Sequence, residues 1–129
     1  MGIKAVVFDL DDTLISEKQY VLSGFRKVSR AVSEKFGLDR SIVYDTLNQL
    51  FSVDSKLVFN RMFDKFGMPY HENDVRWLVD IYRNHDPQID FFDDVIPCLQ
   101  YLKQNGLKTG IITDGYKNVQ RKKIKSLLQ

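Results

Sequence analysis

Asp9, Asp11 and Asp12 fall within four positions of one another in the stretch VVFDLDDTLI, directly behind an apolar run. Three like charges at that spacing repel unless a cation sits among them or the crowding serves a reaction. An aspartate titrates near pH ~4, so at neutral pH these carboxylates are ionised, and a site built only of oxygen donors favours magnesium. With the repulsion screened, the Asp9 carboxylate can act as a nucleophile and form an aspartyl-phosphate, which splits a slow hydrolysis into two easier steps. Asp11, two residues on, can protonate the leaving oxygen and then deprotonate the attacking water.

The elements around the cluster decide whether it can be a site. Ile3 to Phe8 is nearly unbroken apolar sequence rich in β-branched residues, which predicts a strand covered on both faces of a parallel sheet. Asp9 and Asp11 then stand just past its carboxyl end, where open α/β sheets gather ligands. Leu107 to Thr113 repeats the strand pattern. Between the two, Leu22, Phe25, Val28, Val32 and Phe36 mark a helix stopped by Gly37. Ser41 is the expected cap of a second helix, a third carries Leu57 to Phe66 and stops at Gly67, and a fourth starts near Glu72. Asp93 or Asp94 starts a further helix through Val95, Leu99 and Leu102 that ends at Gly106. The predicted fold is α/β, with a helical bundle inserted at residues 16–87 between core segments 1–15 and 88–129.

DLDDTL, an Asp-x-Asp-x-Thr after an apolar strand, resembles the first motif of the haloacid dehalogenase superfamily, most of whose members are magnesium-dependent phosphohydrolases. The resemblance implies that Asp9 is the nucleophile and a metal ligand. It makes Asp11 the general acid/base, with a backbone carbonyl on the metal, and Thr13 a brace for the turn. GIITDG resembles the family's second motif and implies that Thr113, with the turn amides of Asp114 and Gly115, holds the phosphate. A hydroxyl and turn amides before a helix do form an anion site, although Thr-Asp-Gly is also an ordinary turn. Asp9 and Thr113 stand 104 positions apart, far beyond the dozen or so residues of a simple crossover. The resemblance accounts for the surplus as a helical cap inserted into a partial Rossmann-like core. Asp11 favours phosphatase over dehalogenase, because a departing halide needs no proton. A receiver domain, which also forms an aspartyl-phosphate, is disfavoured because its phosphorylated aspartate closes a mid-chain strand, and here the middle reads as helix.

The family's third motif, a lysine, and its fourth, an acidic pair, have no counterpart, so the sequence is expected to be truncated after the second motif and impaired as an enzyme. Open strand edges predict a homodimer or a completing partner chain, with a non-catalytic fragment as the alternative reading. A net charge of +2 argues against nucleic acid as a partner. The partner expected is a small phosphorylated metabolite. The basic run Lys117, Arg121, Lys122, Lys123 and Lys125 reads as a solvated helix face beside an apolar stripe of Val119, Ile124, Leu127 and Leu128. Cys98, the single cysteine, is expected to be buried. No stretch approaches the ~18 apolar residues of a membrane span, and a cytoplasmic setting is expected.

Overall fold

The computed structural model describes residues 2–128; the outermost positions of the expected core segments, Met1 and Gln129, lie outside the described residues. The chain divides into two compact units, Met1–Tyr20 with Asp86–Gln129, and Val21–His85.

In the first unit, strand β1 (Ala5–Phe8) pairs in parallel with β2 (Lys108–Ile111), Ala5 opposite Lys108 and Phe8 opposite Ile111. One bond on each side extends the ladder, from the Lys108 amide to the Lys4 carbonyl and from the Ile112 amide to the Phe8 carbonyl. The strands are shorter and barer than their composition predicts. Along β1, Val6 and Phe8 are half-buried while Val7 is 54% exposed, and Ile112 is 71% exposed. Successive side chains leave a strand on opposite faces. The described sheet has two strands, and its alternation shows one face supported and the other bare.

After β1 the chain folds back on the carbonyl of Leu10, which accepts from the amides of Thr13, Leu14 and Ile15. Leu10, Leu14 and Ile15 are buried, and together with Ile89 and Val95 they anchor the turn. Asp12 sits in the left-handed region at φ 59° and accepts from the Glu17 amide at 3.0 Å, at the start of helix α1 (Glu17–Phe36). The third carboxylate of the cluster is therefore a structural one, supplying an acceptor where helix amides lack partners.

The helical unit holds most of α1 with α2 (Arg40–Val53), α3 (Val58–Lys65) and α4 (Glu72–Asn84). Phe25, Val28, Val32, Val43, Leu47, Met62, Phe63 and Leu78 form its core, at the helical spacing that the sequence shows. Gly37 and Gly67 close α1 and α3 with φ of 73° and 64°, a conformation glycine adopts without a Cβ penalty. The cap of α2 is Asp39 rather than Ser41: Asp39 is extended, and its Oδ1 accepts from the Ile42 amide at 3.1 Å. Gly24 has no room for a side chain, since a Cβ there would lie 2.3 Å from the Tyr82 ring.

Back in the first unit, α5 (Val95–Gln104) leads into β2, and α6 (Lys117–Leu127) follows it. Cys98 is exposed on α5, contrary to its apolar sequence neighbours. The inner stripe of that helix runs through Val95, Leu99 and Leu102, and Cys98 stands beside it. Among the described residues, no helix is long and apolar enough to cross a membrane.

Candidate active site

The parallel register brings the ends of two strands that are distant in sequence side by side. Phe8 faces Ile111, so the residues that follow, Asp9 on one side and Thr113 and Asp114 on the other, emerge together. They line an open groove of about 390 Å³ with Val7, Phe8 and Ile112. Asp9 is exposed, and its Oδ1 accepts from the Leu10 amide at 2.9 Å. That bond fixes the carboxylate's orientation and leaves Oδ2 without a hydrogen bond among the described residues.

Asp11 does not share the groove lining. Its carboxylate is 25% exposed and is held by two donors from α6: Lys123 Nζ lies 2.8 Å from Oδ1 and Gln120 Nε2 2.9 Å from Oδ2. Gln120 Nε2 also lies 2.7 Å from Thr113 Oγ1. Lys123 is buried to 4% exposure, with its ammonium 4.2 Å from the centre of the Tyr20 ring. Burial, reinforced by the nearby negative charge of Asp11, pushes the Tyr20 phenol up to about 12. The ring thus stays neutral beneath the cation at physiological pH.

The reading of Lys117 to Lys125 as a solvated face fails at Lys123. Helical phase gives the reason: Val119, Lys123 and Leu127 lie four apart on one inner face of α6, and Gln120 is adjacent to them. The apolar neighbours on that face were the available signal. What overrides the preference of lysine for water is Asp11, 112 positions earlier in the chain.

Thr13 is not brought into the groove. Its side chain lines a separate cavity with Phe8, Leu14, Asp94, Val95, Cys98 and Leu99. Its hydroxyl makes no hydrogen bond among the described residues, and the turn is braced by backbone bonds to Leu10 instead. Gly115 adopts φ 122° at the turn before α6.

A magnesium ion demands six oxygens in nearly octahedral array. Among the described residues, no three His, Cys, Asp or Glu side chains converge as a metal site. With both Asp11 oxygens engaged by α6, the carboxylates at the groove are those of Asp9 and Asp114, beside main-chain carbonyls. These hard oxygen donors suit the ion by type and would leave the rest of its shell to water.

Residues 6–128 match the family model for haloacid dehalogenase-like hydrolases. The candidate pyrophosphatase PpaX of Clostridium perfringens is 30% identical over 116 residues, covering 86% of this chain and 48% of that protein. The glyceraldehyde 3-phosphate phosphatase of Methanopyrus kandleri is 29% identical over 123 residues, covering 88% of this chain and 52% of that protein. A solved haloacid dehalogenase-like hydrolase from Xanthomonas campestris aligns over 97% of this chain and 56% of its own, at 19% identity and a TM-score of 0.49. The chain spans about half the length of the curated relatives it matches.

Proposed function

We propose that this chain, which belongs to the haloacid dehalogenase-like hydrolase family, carries the nucleophile and phosphate seat of a phosphohydrolase acting on a small phosphate ester. The observation that carries the reading is the shared groove of Asp9 and Thr113 at the ends of the paired strands. Relatives named as a pyrophosphatase and a glyceraldehyde 3-phosphate phosphatase support a small phosphorylated metabolite as the substrate class.

In this reading the phosphoryl group sits against the Thr113 hydroxyl and the amides of Asp114 and Gly115. Asp9 attacks phosphorus, the ester P–O bond breaks, and the leaving oxygen takes a proton from Asp11. Water then attacks the aspartyl-phosphate, Asp11 takes the proton of that water, and phosphate leaves Asp9 free. Both Asp11 oxygens accept hydrogen bonds in this structure, an arrangement ready for the second half-reaction. For the first half Asp11 must carry a proton, and one of its two donors must let go. Residues 1–15 and 88–129 form the partial core in this proposal, and residues 16–87 the cap that selects the substrate; the setting is the cytoplasm.

Magnesium belongs to the proposed chemistry as a screen for the Asp9 charge. Asp9 and the Asp11 carbonyl would hold the ion, with water completing its shell. The test is magnesium-dependent release of phenol from an aryl phosphate by the chain and by Asp9→Asn. Activity in the first and none in the second is expected; equal activity in both would refute the reading.

A second reading, a non-catalytic chain that self-associates or binds a partner chain, is favoured by the bare sheet face, with Val7 and Ile112 exposed beside the strand edges of the described sheet. It predicts a mass in solution that rises with concentration. A monomer at every concentration would contradict it.

A further inference from the structure

We propose that Gln120 is a positioning residue whose single side-chain amide, anchored on the Asp11 carboxylate, turns the Thr113 hydroxyl proton toward a phosphoryl group arriving in the groove. The inference rests on the reading of Thr113 as the phosphate seat and adds what points its proton.

An amide nitrogen carries two N–H donors and no acceptor. Gln120 Nε2 spends them on two partners, Asp11 Oδ2 at 2.9 Å and Thr113 Oγ1 at 2.7 Å. Which end of the amide faces the site is fixed by charge, because the alternative would set a carbonyl oxygen against the Asp11 carboxylate. The Thr113 oxygen therefore accepts, and its one proton must point away from Gln120. Its nearest acceptor is the Asp114 carbonyl at 3.4 Å, too long to hold it firmly. The proton is left for an oxygen arriving in the groove that Thr113 lines.

The surroundings support this role. Gln120 is buried at 6% exposure, so water does not compete for its donors. Gly115 holds φ 122° in the second-motif turn, a conformation that suits glycine, and this turn packs against the Gln120 side chain. Lys123, one turn along α6, takes the other Asp11 oxygen. The acid/base and the phosphate seat, 102 positions apart in the chain, are joined through one side chain.

The experiment measures binding of inorganic phosphate to the chain by calorimetry, with Thr113→Val, Gln120→Leu and the double variant, each checked for a native circular dichroism spectrum. Thr113→Val should weaken binding about tenfold, the worth of one hydrogen bond to a charged group. Gln120→Leu should weaken it by a similar factor, and the double variant no further than Thr113→Val alone. Unchanged affinity in Gln120→Leu, or a double variant showing the product of both losses, would overturn the positioning role. No effect of Thr113→Val, or no phosphate binding by the unaltered chain, would overturn the underlying reading instead. A readout without phosphate keeps the two separate. In the nitrogen-resolved spectrum of the free chain, one Gln120 side-chain N–H signal should move in Thr113→Val and the other in Asp11→Asn. Movement of neither signal would overturn the inference even in a variant that binds phosphate normally.

Discussion

Replacing Lys123 by methionine keeps most of the side-chain volume and removes only the cation. The ammonium lies 2.8 Å from Asp11 Oδ1, and at an effective dielectric constant near 20 the attraction over that distance is about 6 kcal/mol. Taking the ammonium out of water costs several kcal/mol. Asp11 is 25% exposed, so water reaches it once Lys123 is gone and the residual penalty is moderate. The net loss of stability expected for Lys123→Met is about 2 kcal/mol, including roughly 1 kcal/mol from the contact with the Tyr20 ring. Asp11→Asn should cost about 3 kcal/mol, because it strands the more deeply buried partner. The double variant should be less destabilised than the sum of the two by about 2 kcal/mol. Urea unfolding of the four proteins, followed by circular dichroism, measures this coupling. A Lys123→Met variant within ~0.5 kcal/mol of the parent, or strict additivity, would show that the pair does not hold α6 to the first-motif turn.

The Tyr20 phenol is raised to about 12 by burial and by Asp11. A folded-state value above the unfolded one near ~10 means that its contribution is intact below about pH 10 and is lost as pH climbs toward 12. Urea midpoints should fall across that window, and Tyr20→Phe should flatten the fall; an unchanged slope in the variant would locate the alkaline transition elsewhere. Gly24→Ala puts a Cβ 2.3 Å from the Tyr82 ring. Overpacking of about 2 kcal/mol or more should lower the thermal midpoint, and a neutral result would mean that Tyr82 moves aside freely. Asp39→Ala removes the acceptor for the Ile42 amide and should cost about 1 kcal/mol in urea unfolding, whereas Ser41→Ala should cost less than half of that.

The helical unit was legible because its signals are local. Apolar spacing placed Phe25, Val28 and Val32 on the inner side of α1, and Gly37, Gly67 and Gly106 stand at helix ends with positive φ. Parallel strands were legible from β-branched runs, but not their exposure. Composition reports what a strand prefers to touch, while the cover it receives depends on other elements; Val7 and Ile112 lack that cover here. Asp9 and Thr113 were linked through the resemblance of their two motifs, and the parallel pairing of β1 and β2 brings both to one groove. Gln120 and Lys123 were not seen as site residues, since polar and charged types read as surface. Their burial follows from a partner, Asp11, that only the folded chain supplies. Two carboxylates of the opening cluster took roles that spacing alone does not separate: Asp12 bonds the start of α1, and Asp11 is paired with α6.

The central claim is that Asp9 attacks phosphorus. Its most direct test is to mix the chain with magnesium and an aryl phosphate, quench in acid within a turnover, and search the peptides by mass spectrometry. One phosphoryl group is expected on the peptide that carries Asp9, and none on that peptide from Asp9→Asn. Hydrolysis that proceeds without a phosphoryl adduct on that peptide, or an adduct that persists in Asp9→Asn, would contradict it.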